Sequence, residues 1–122
     1  MTALITVEGL ARLDAALAWI DEHPEQHNQD VWIARVPGCG TTCCLAGALT
    51  QLAGGVPIWV GEIASAVRLP DGTERGVESF ATTLLGVPLG GDVADDLFYA
   101  ANDRADLGEV RDRLAASLVG AR

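Results

Sequence analysis

The spacing of apolar residues predicts an amphipathic helix near the start of the chain. Over residues 7–23, apolar side chains recur at intervals of three and four positions: Leu10, Leu13, Leu17 and Ile20. This spacing places them on one face of an α-helix. Thr6 offers a hydroxyl that can cap the first turn, and Pro24 lacks the amide hydrogen needed to continue the helix. We therefore expect a helix that ends by His23.

A second helix is predicted over the sequence CCLAGALTQLAGG, residues 43–55. Thr41 or Thr42 is expected to cap its start, and the pair Gly54-Gly55 is expected to end it. Its apolar stripe consists of Leu45, Leu49 and Leu52. The other face carries only small side chains, which allow another backbone to approach closely: Cys44, Gly47 and Ala48.

Three shorter helices and a hairpin are predicted in the rest of the chain. A helix capped by Ser79 should end at Gly86, and two more should cover residues 92–101 and 106–119. Residues 62–69 alternate like a strand and lead into the turn Pro70-Asp71-Gly72-Thr73, which favours a β-hairpin, with residues 57–60 as a candidate third strand. Residues 31–36 fit either an extended or a helical segment.

These elements predict a mainly helical α+β fold with about five short helices and one small β-hairpin. Residues 1–122 should form a single domain, because 49% of the chain is apolar and no linker or repeat interrupts it.

Composition narrows the classes of partner. With 8 basic and 17 acidic residues, the formal charge is −9, which repels phosphate backbones and argues against non-specific nucleic-acid binding. We expect no signal peptide, no membrane span and no membrane partner, hence a cytoplasmic protein. A homodimer is compatible with the sequence.

Three cysteines, Cys39, Cys43 and Cys44, lie within six residues and are expected to be reduced thiols. At the start of a helix, backbone amides stabilise a thiolate. If the chain is an enzyme, Cys39 or Cys43 is the candidate nucleophile, with His23 or His27 as its base. Packing of small apolar cysteines against a helix is the favoured interpretation, so we expect no catalytic residue.

Two histidines and two cysteines also form a candidate zinc set: His23, His27, Cys39 and Cys43. Pro24 separates the histidines, and the spacing matches zinc sites only loosely. We therefore expect neither a metal nor another cofactor.

The tryptophans are candidates for a binding patch. If Trp32 and Trp59 lie together beside the turn that contains Cys39, Thr41 and Thr42, they can form the floor of a pocket for a ligand or partner.

Several strings in the first half of the chain resemble a known group of proteins. These strings are His23-Pro24-Glu25, Asn28-Gln29, Trp32 and the run from Cys39 to Gly47. They are similar to small uncharacterised proteins of actinobacteriophages and their hosts, which share a His-Pro-Glu loop, a Trp and a CGTT-x-C-(I/L/V)-A-G turn. The resemblance covers most of the chain and implies a phage or prophage origin without implying an activity.

These observations lead to one main expectation of function. The chain is expected to be a non-enzymatic phage or prophage accessory protein that binds a host or phage protein or other macromolecule in the cytoplasm. The alternatives are a thiol-dependent enzyme or redox protein that uses residues 39–44, and a small zinc-binding module.

Overall fold

A computed structural model describes residues 3–36 and 40–120 of the chain. Within these residues the protein has a mainly helical α+β fold, as predicted, with five α-helices and two small antiparallel sheets. The helices are α1 (Val7–Glu22), α2 (Leu45–Leu52), α3 (Val77–Leu85), α4 (Asp92–Asp95) and α5 (Arg104–Gly120). The strands are β1 (Ile33–Val36), β2 (Gly40–Cys43), β3 (Val56–Pro57), β4 (Ile63–Ala64), β5 (Ala66–Arg68) and β6 (Glu74–Gly76).

Helix α1 forms as its sequence predicts and packs against α2, α3 and α5. The hydroxyl of Thr6 accepts a hydrogen bond from the amide of Gly9, and the helix ends before His23 and Pro24. The apolar stripe is buried at Leu13, Leu17 and Ile20 and half-buried at Leu10. The helical half of the core is therefore built around this one amphipathic helix.

Helices α2 and α3 do not begin as the sequence predicts. Thr41 and Thr42 do not cap α2, because both lie in β2, and α2 begins after Cys44 without a cap from that side chain. Ser79 lies inside α3, which begins at Val77. The end of α3 is as predicted: Gly86 adopts φ of 70°, a left-handed conformation that favours glycine.

The β-structure is larger than one hairpin. Strand order is β2-β1-β4 in the first sheet and β3-β5-β6 in the second. The predicted hairpin corresponds to β5 and β6, and β3 joins it through Val56–Pro57. Residues 31–36, left open by the sequence, contribute strand β1, which pairs with β2 so that Ile33 lies opposite Cys43.

The predicted strand over residues 62–69 is broken at Ser65. Its first part, β4, pairs with β1, whereas β5 joins the other sheet. The break changes the phase of the alternation: Ala64 and Val67 are both buried, although they are three positions apart, and Ile63 is exposed. Ile63 and Val67, which a continuous strand would place on one face, therefore differ in burial.

The helix predicted over residues 92–101 has an irregular second half. After the single α-helical turn of α4, residues Asp96–Ala100 form a π turn in which the amide of Ala101 donates to the carbonyl of Asp96. Within residues 3–36 and 40–120, every helix is too short or too polar to cross a bilayer.

Close backbone contact between β1 and α2 depends on Gly47. A Cβ atom at this position would lie 2.1 Å from the carbonyl oxygen of Trp32 and 2.7 Å from the Cβ of Cys43. The small face predicted for α2 is therefore used for tight packing.

We expect Gly47→Ala to lower the free energy of unfolding by about 1–3 kcal/mol, because the backbone carbonyl of Trp32 and the side chain of Cys43 must both move away from the new Cβ. Gly108→Ala in α5 is the matched control, since its Cβ would meet only Nη1 of Arg104, at 3.1 Å, at the end of a long side chain that pairs with Asp21 at the surface and can shift. In a helix interior, alanine is more favourable than glycine by about 1 kcal/mol, so Gly108→Ala should leave the free energy of unfolding unchanged or raise it. Equal destabilisation of both variants in urea unfolding would contradict this packing.

Candidate functional site

A cleft with a volume of about 380 Å³ opens between the segment that precedes β1 and the π turn. Its size is within the range of small-ligand and side-chain pockets. It is lined by Gln29, Asp30, Val31, Trp32, Cys44, Ile63, Phe98 and Tyr99. Four separate segments of the chain therefore meet at this one surface.

The side chain of Gln29 joins three of these segments. Its Oε1 accepts hydrogen bonds from the amide of Leu45 at 3.1 Å and from Nε2 of His27 at 2.8 Å. Its Nε2 donates to the carbonyl of Leu97 at 2.9 Å. Leu45 is the first residue of α2, where the amide has no partner within the helix. Gln29 thus caps α2 from a distant loop.

The π turn supplies the acceptor for Gln29. In an α-helix the carbonyl of Leu97 would accept from the amide of Ala101, but that amide bonds to Asp96 instead. The carbonyl of Leu97 is consequently available to Gln29. The wide turn also places Phe98 and Tyr99 on the cleft wall. In other proteins, π turns are often found at functional sites.

Aromatic rings form one wall of the cleft. The Trp32 ring meets Phe98 edge to face at 6.1 Å and 78°, and meets Tyr99 at 5.8 Å and 85°. Phe98 is buried, Trp32 is half-buried and Tyr99 is 59% exposed. The hydroxyl of Tyr99 donates to the carboxylate of Glu78 on α3, which holds the ring in place. The wall is therefore preformed and accessible from solvent.

No family model, curated protein or solved structure matches the sequence. The function must be inferred from the side chains of the site itself.

The cysteines do not form an activated thiol site within the described residues. Cys39 lies outside those residues, and Cys43 and Cys44 are both buried. Burial raises the pKa of Cys43 to about 12 and the pKa of Cys44 to about 11, well above the ordinary value of 9.0. For Cys44, desolvation outweighs the backbone amides of Ala46 and Gly47, which lower the pKa, and for Cys43 the charge of Cys44 adds to the effect of burial. These values do not favour the alternative in which Cys43 is an activated nucleophile.

The two histidines make separate local contacts. The His23 ring stacks on Trp19 at 4.7 Å, and its Nδ1 donates to the carbonyl of Trp19. His27 donates through Nε2 to Gln29, because Nε2 of Gln29 is itself a donor to Leu97 and its Oε1 must face His27. Neither histidine lines the cleft among the described residues.

The candidate zinc set is not assembled within residues 3–36 and 40–120. No three His, Cys, Asp or Glu side chains in these ranges are grouped so that they could hold a metal ion. Cys39, the remaining member of the candidate set, falls outside the ranges.

The predicted binding patch is only partly assembled. Trp32 lies in the cleft, but Trp59 is not in its wall and instead packs under the guanidinium of Arg35, 4.2 Å from the ring centre. Thr41 and Thr42 are half-buried in β2, opposite Arg35 and Ala34. Of the residues proposed for ligand or partner binding, Trp32 alone is placed at the cleft among those that the structure describes.

Sequence reasoning missed the residues that complete the cleft: Gln29, Asp30, Ile63, Phe98 and Tyr99. Gln29 belongs to the Asn28-Gln29 string of the resemblance, but its role could not be predicted because it contacts residues 16 and 68 positions away. Ile63 lies in the alternating segment 62–69, and the break at Ser65 separates it from the strand that continues the pattern.

We expect Cys43 and Cys44 to resist iodoacetamide near neutral pH in a Cys39→Ser background. Two units of pKa elevation reduce the thiolate fraction about a hundredfold, so labelling should be at least roughly a hundredfold slower than in the unfolded chain. The measurement is alkylation followed by mass spectrometry, with and without denaturant. Fast labelling of either thiol in the folded protein would contradict the burial described here.

Proposed function

We propose that this chain is a non-enzymatic binding protein that holds a partner protein at the aromatic cleft. The observation that carries the proposal is the preformed wall of Trp32 and Tyr99 beside an exposed Ile63. Large aromatic side chains that are already ordered lose little conformational entropy on binding, and they are common at the centres of protein interfaces.

The apolar surface continues beyond the cleft. Ile63 is 53% exposed and Val60, which pairs with it across a tight turn, is 82% exposed. Together with Tyr99 they place three large apolar side chains in solvent near one opening. Clustered exposed apolar side chains of this kind are typical of interaction sites rather than of inert surface.

The chemistry of the cleft favours binding over catalysis. Cys44 is the thiol in its wall, and its raised pKa keeps it protonated near neutral pH. No histidine in the described part of the chain lines the cleft to act as a base for it. An acyl-transfer or redox reaction needs a more reactive group than this.

The proposed origin and cellular compartment of the protein rest on the sequence resemblance. We propose that the protein is of phage or prophage origin and acts in the cytoplasm of an actinobacterial host. Its partner is then a host or phage protein present in the same compartment. The absence of non-specific nucleic-acid binding follows from the charge of −9.

A photocrosslinking amino acid placed at position 63 tests the proposal in host cells. We expect it to form an adduct with one protein, because the side chain at this position borders the cleft. The same substitution at Val119, which is 67% exposed on α5 and outside the cleft wall, is the matched control. Adducts from position 119 alone, or from neither position, would contradict the proposal.

The purified partner is then titrated by calorimetry against two surface variants. We expect Tyr99→Ser to weaken binding at least about tenfold, as is usual for an aromatic residue at the centre of an interface, and Val119→Ser to leave it unchanged. An unchanged Kd for Tyr99→Ser in a protein of normal thermal stability would place the interface elsewhere.

A further inference from the structure

One carboxylate lies in the wall of the cleft, and two more lie around Tyr99. Asp30 lies in the cleft wall and is exposed, and Glu78 accepts the hydrogen bond of Tyr99. That hydrogen bond, with the charges of Glu78 and Asp95 nearby, raises the pKa of Tyr99 to about 12. Among the described residues, the five ion pairs use other carboxylates and leave Asp30, Glu78 and Asp95 without a cationic partner.

The aromatic wall is suited to a cation. The rings of Trp32 and Tyr99 pack edge to face with their planes at 85° and their centres 5.8 Å apart, and Tyr99 is 59% exposed. The face of an aromatic ring carries partial negative charge and attracts a guanidinium or ammonium group, most strongly for tryptophan. The described residues already contain two such contacts, in which Arg35 lies 4.2 Å from the ring centre of Trp59 and Arg75 lies 5.6 Å from that of Phe80.

We propose that the cleft recognises a cationic side chain, an arginine above all, in a basic segment of the partner protein. This inference rests on the proposed function and specifies the chemistry of its partner. The planar guanidinium can stack on Trp32 or Tyr99 while its edge pairs with the carboxylate of Asp30. A chain of net charge −9 also attracts a basic segment over a longer range.

An arginine peptide and its neutral isostere distinguish a cation site from an apolar pocket. The probes are blocked Gly-Arg-Gly and blocked Gly-citrulline-Gly, titrated at millimolar concentration into ¹⁵N-labelled protein. The reporter is the indole N–H signal of Trp32, assigned by its loss in Trp32→Phe, with the Trp19 and Trp59 signals as internal controls. We expect the arginine peptide to shift the Trp32 signal with a Kd at least about fivefold below that of the citrulline peptide.

A matched pair of neutralised carboxylates tests the role of Asp30. We expect Asp30→Asn to weaken arginine-peptide binding about three- to tenfold and to leave citrulline-peptide binding unchanged. Asp92→Asn, at an exposed aspartate outside the cleft wall, should leave both unchanged. Equal affinities for the two peptides, no shift with either peptide, or no effect of Asp30→Asn would each overturn the inference.

The outcomes also separate this inference from the proposed function. Suppose that the two peptides bind with equal affinity, or that neither binds, while Tyr99→Ser still weakens binding of the partner protein. In that case the cleft is the interface, but it does not prefer a cationic side chain. If the arginine peptide binds at Trp32 while the partner crosslinks only at position 119, the cation site stands and the proposed protein interface fails.

Discussion

The amide side chain of Gln29 is the contact on which the cleft depends. It satisfies the first amide of α2, the carbonyl left open by the π turn and the Nε2 hydrogen of His27. A hydrogen bond adds only about 1 kcal/mol, but a buried donor or acceptor left without a partner costs about 1–3 kcal/mol. One residue therefore couples the start of α2 to a turn more than fifty positions later in the chain, and the space between these elements is the cleft.

The consequences of this coupling extend to the chemistry of the site. Gln29 caps α2, whereas the side chain of Cys44 makes no cap hydrogen bond and is buried, which raises its pKa to about 11. Because the π turn widens the backbone, Phe98 and Tyr99 face Trp32 instead of continuing a regular helix. The raised pKa of Cys44 and the exposure of Tyr99 in the aromatic wall both support the proposal of a binding site.

Sequence patterns predicted those elements whose stability is local. The stripe of α1 and its Thr6 cap are determined by spacings of three or four residues, and the structure confirms both. Predictions were wrong where contacts between distant residues determine the structure. Thr41 and Thr42 do not cap α2, because pairing with β1 holds them in β2, and the strand predicted over residues 62–69 changes from one sheet to the other at Ser65. Most of the cleft could not be predicted for the same reason, since Gln29 makes its decisive hydrogen bonds across 16 and 68 positions.

Hydrogen exchange at the amide of Leu45, measured by NMR in the native protein and in Gln29→Ala, tests this account most directly. The first amide of a helix ordinarily exchanges quickly, since it has no partner in its own helix. We expect slow exchange in the native protein and exchange at least about tenfold faster in Gln29→Ala, with the amide of Leu49 inside α2 unaffected. Fast exchange at Leu45 in the native protein, or no difference between the two proteins, would show that Gln29 does not hold the cleft together.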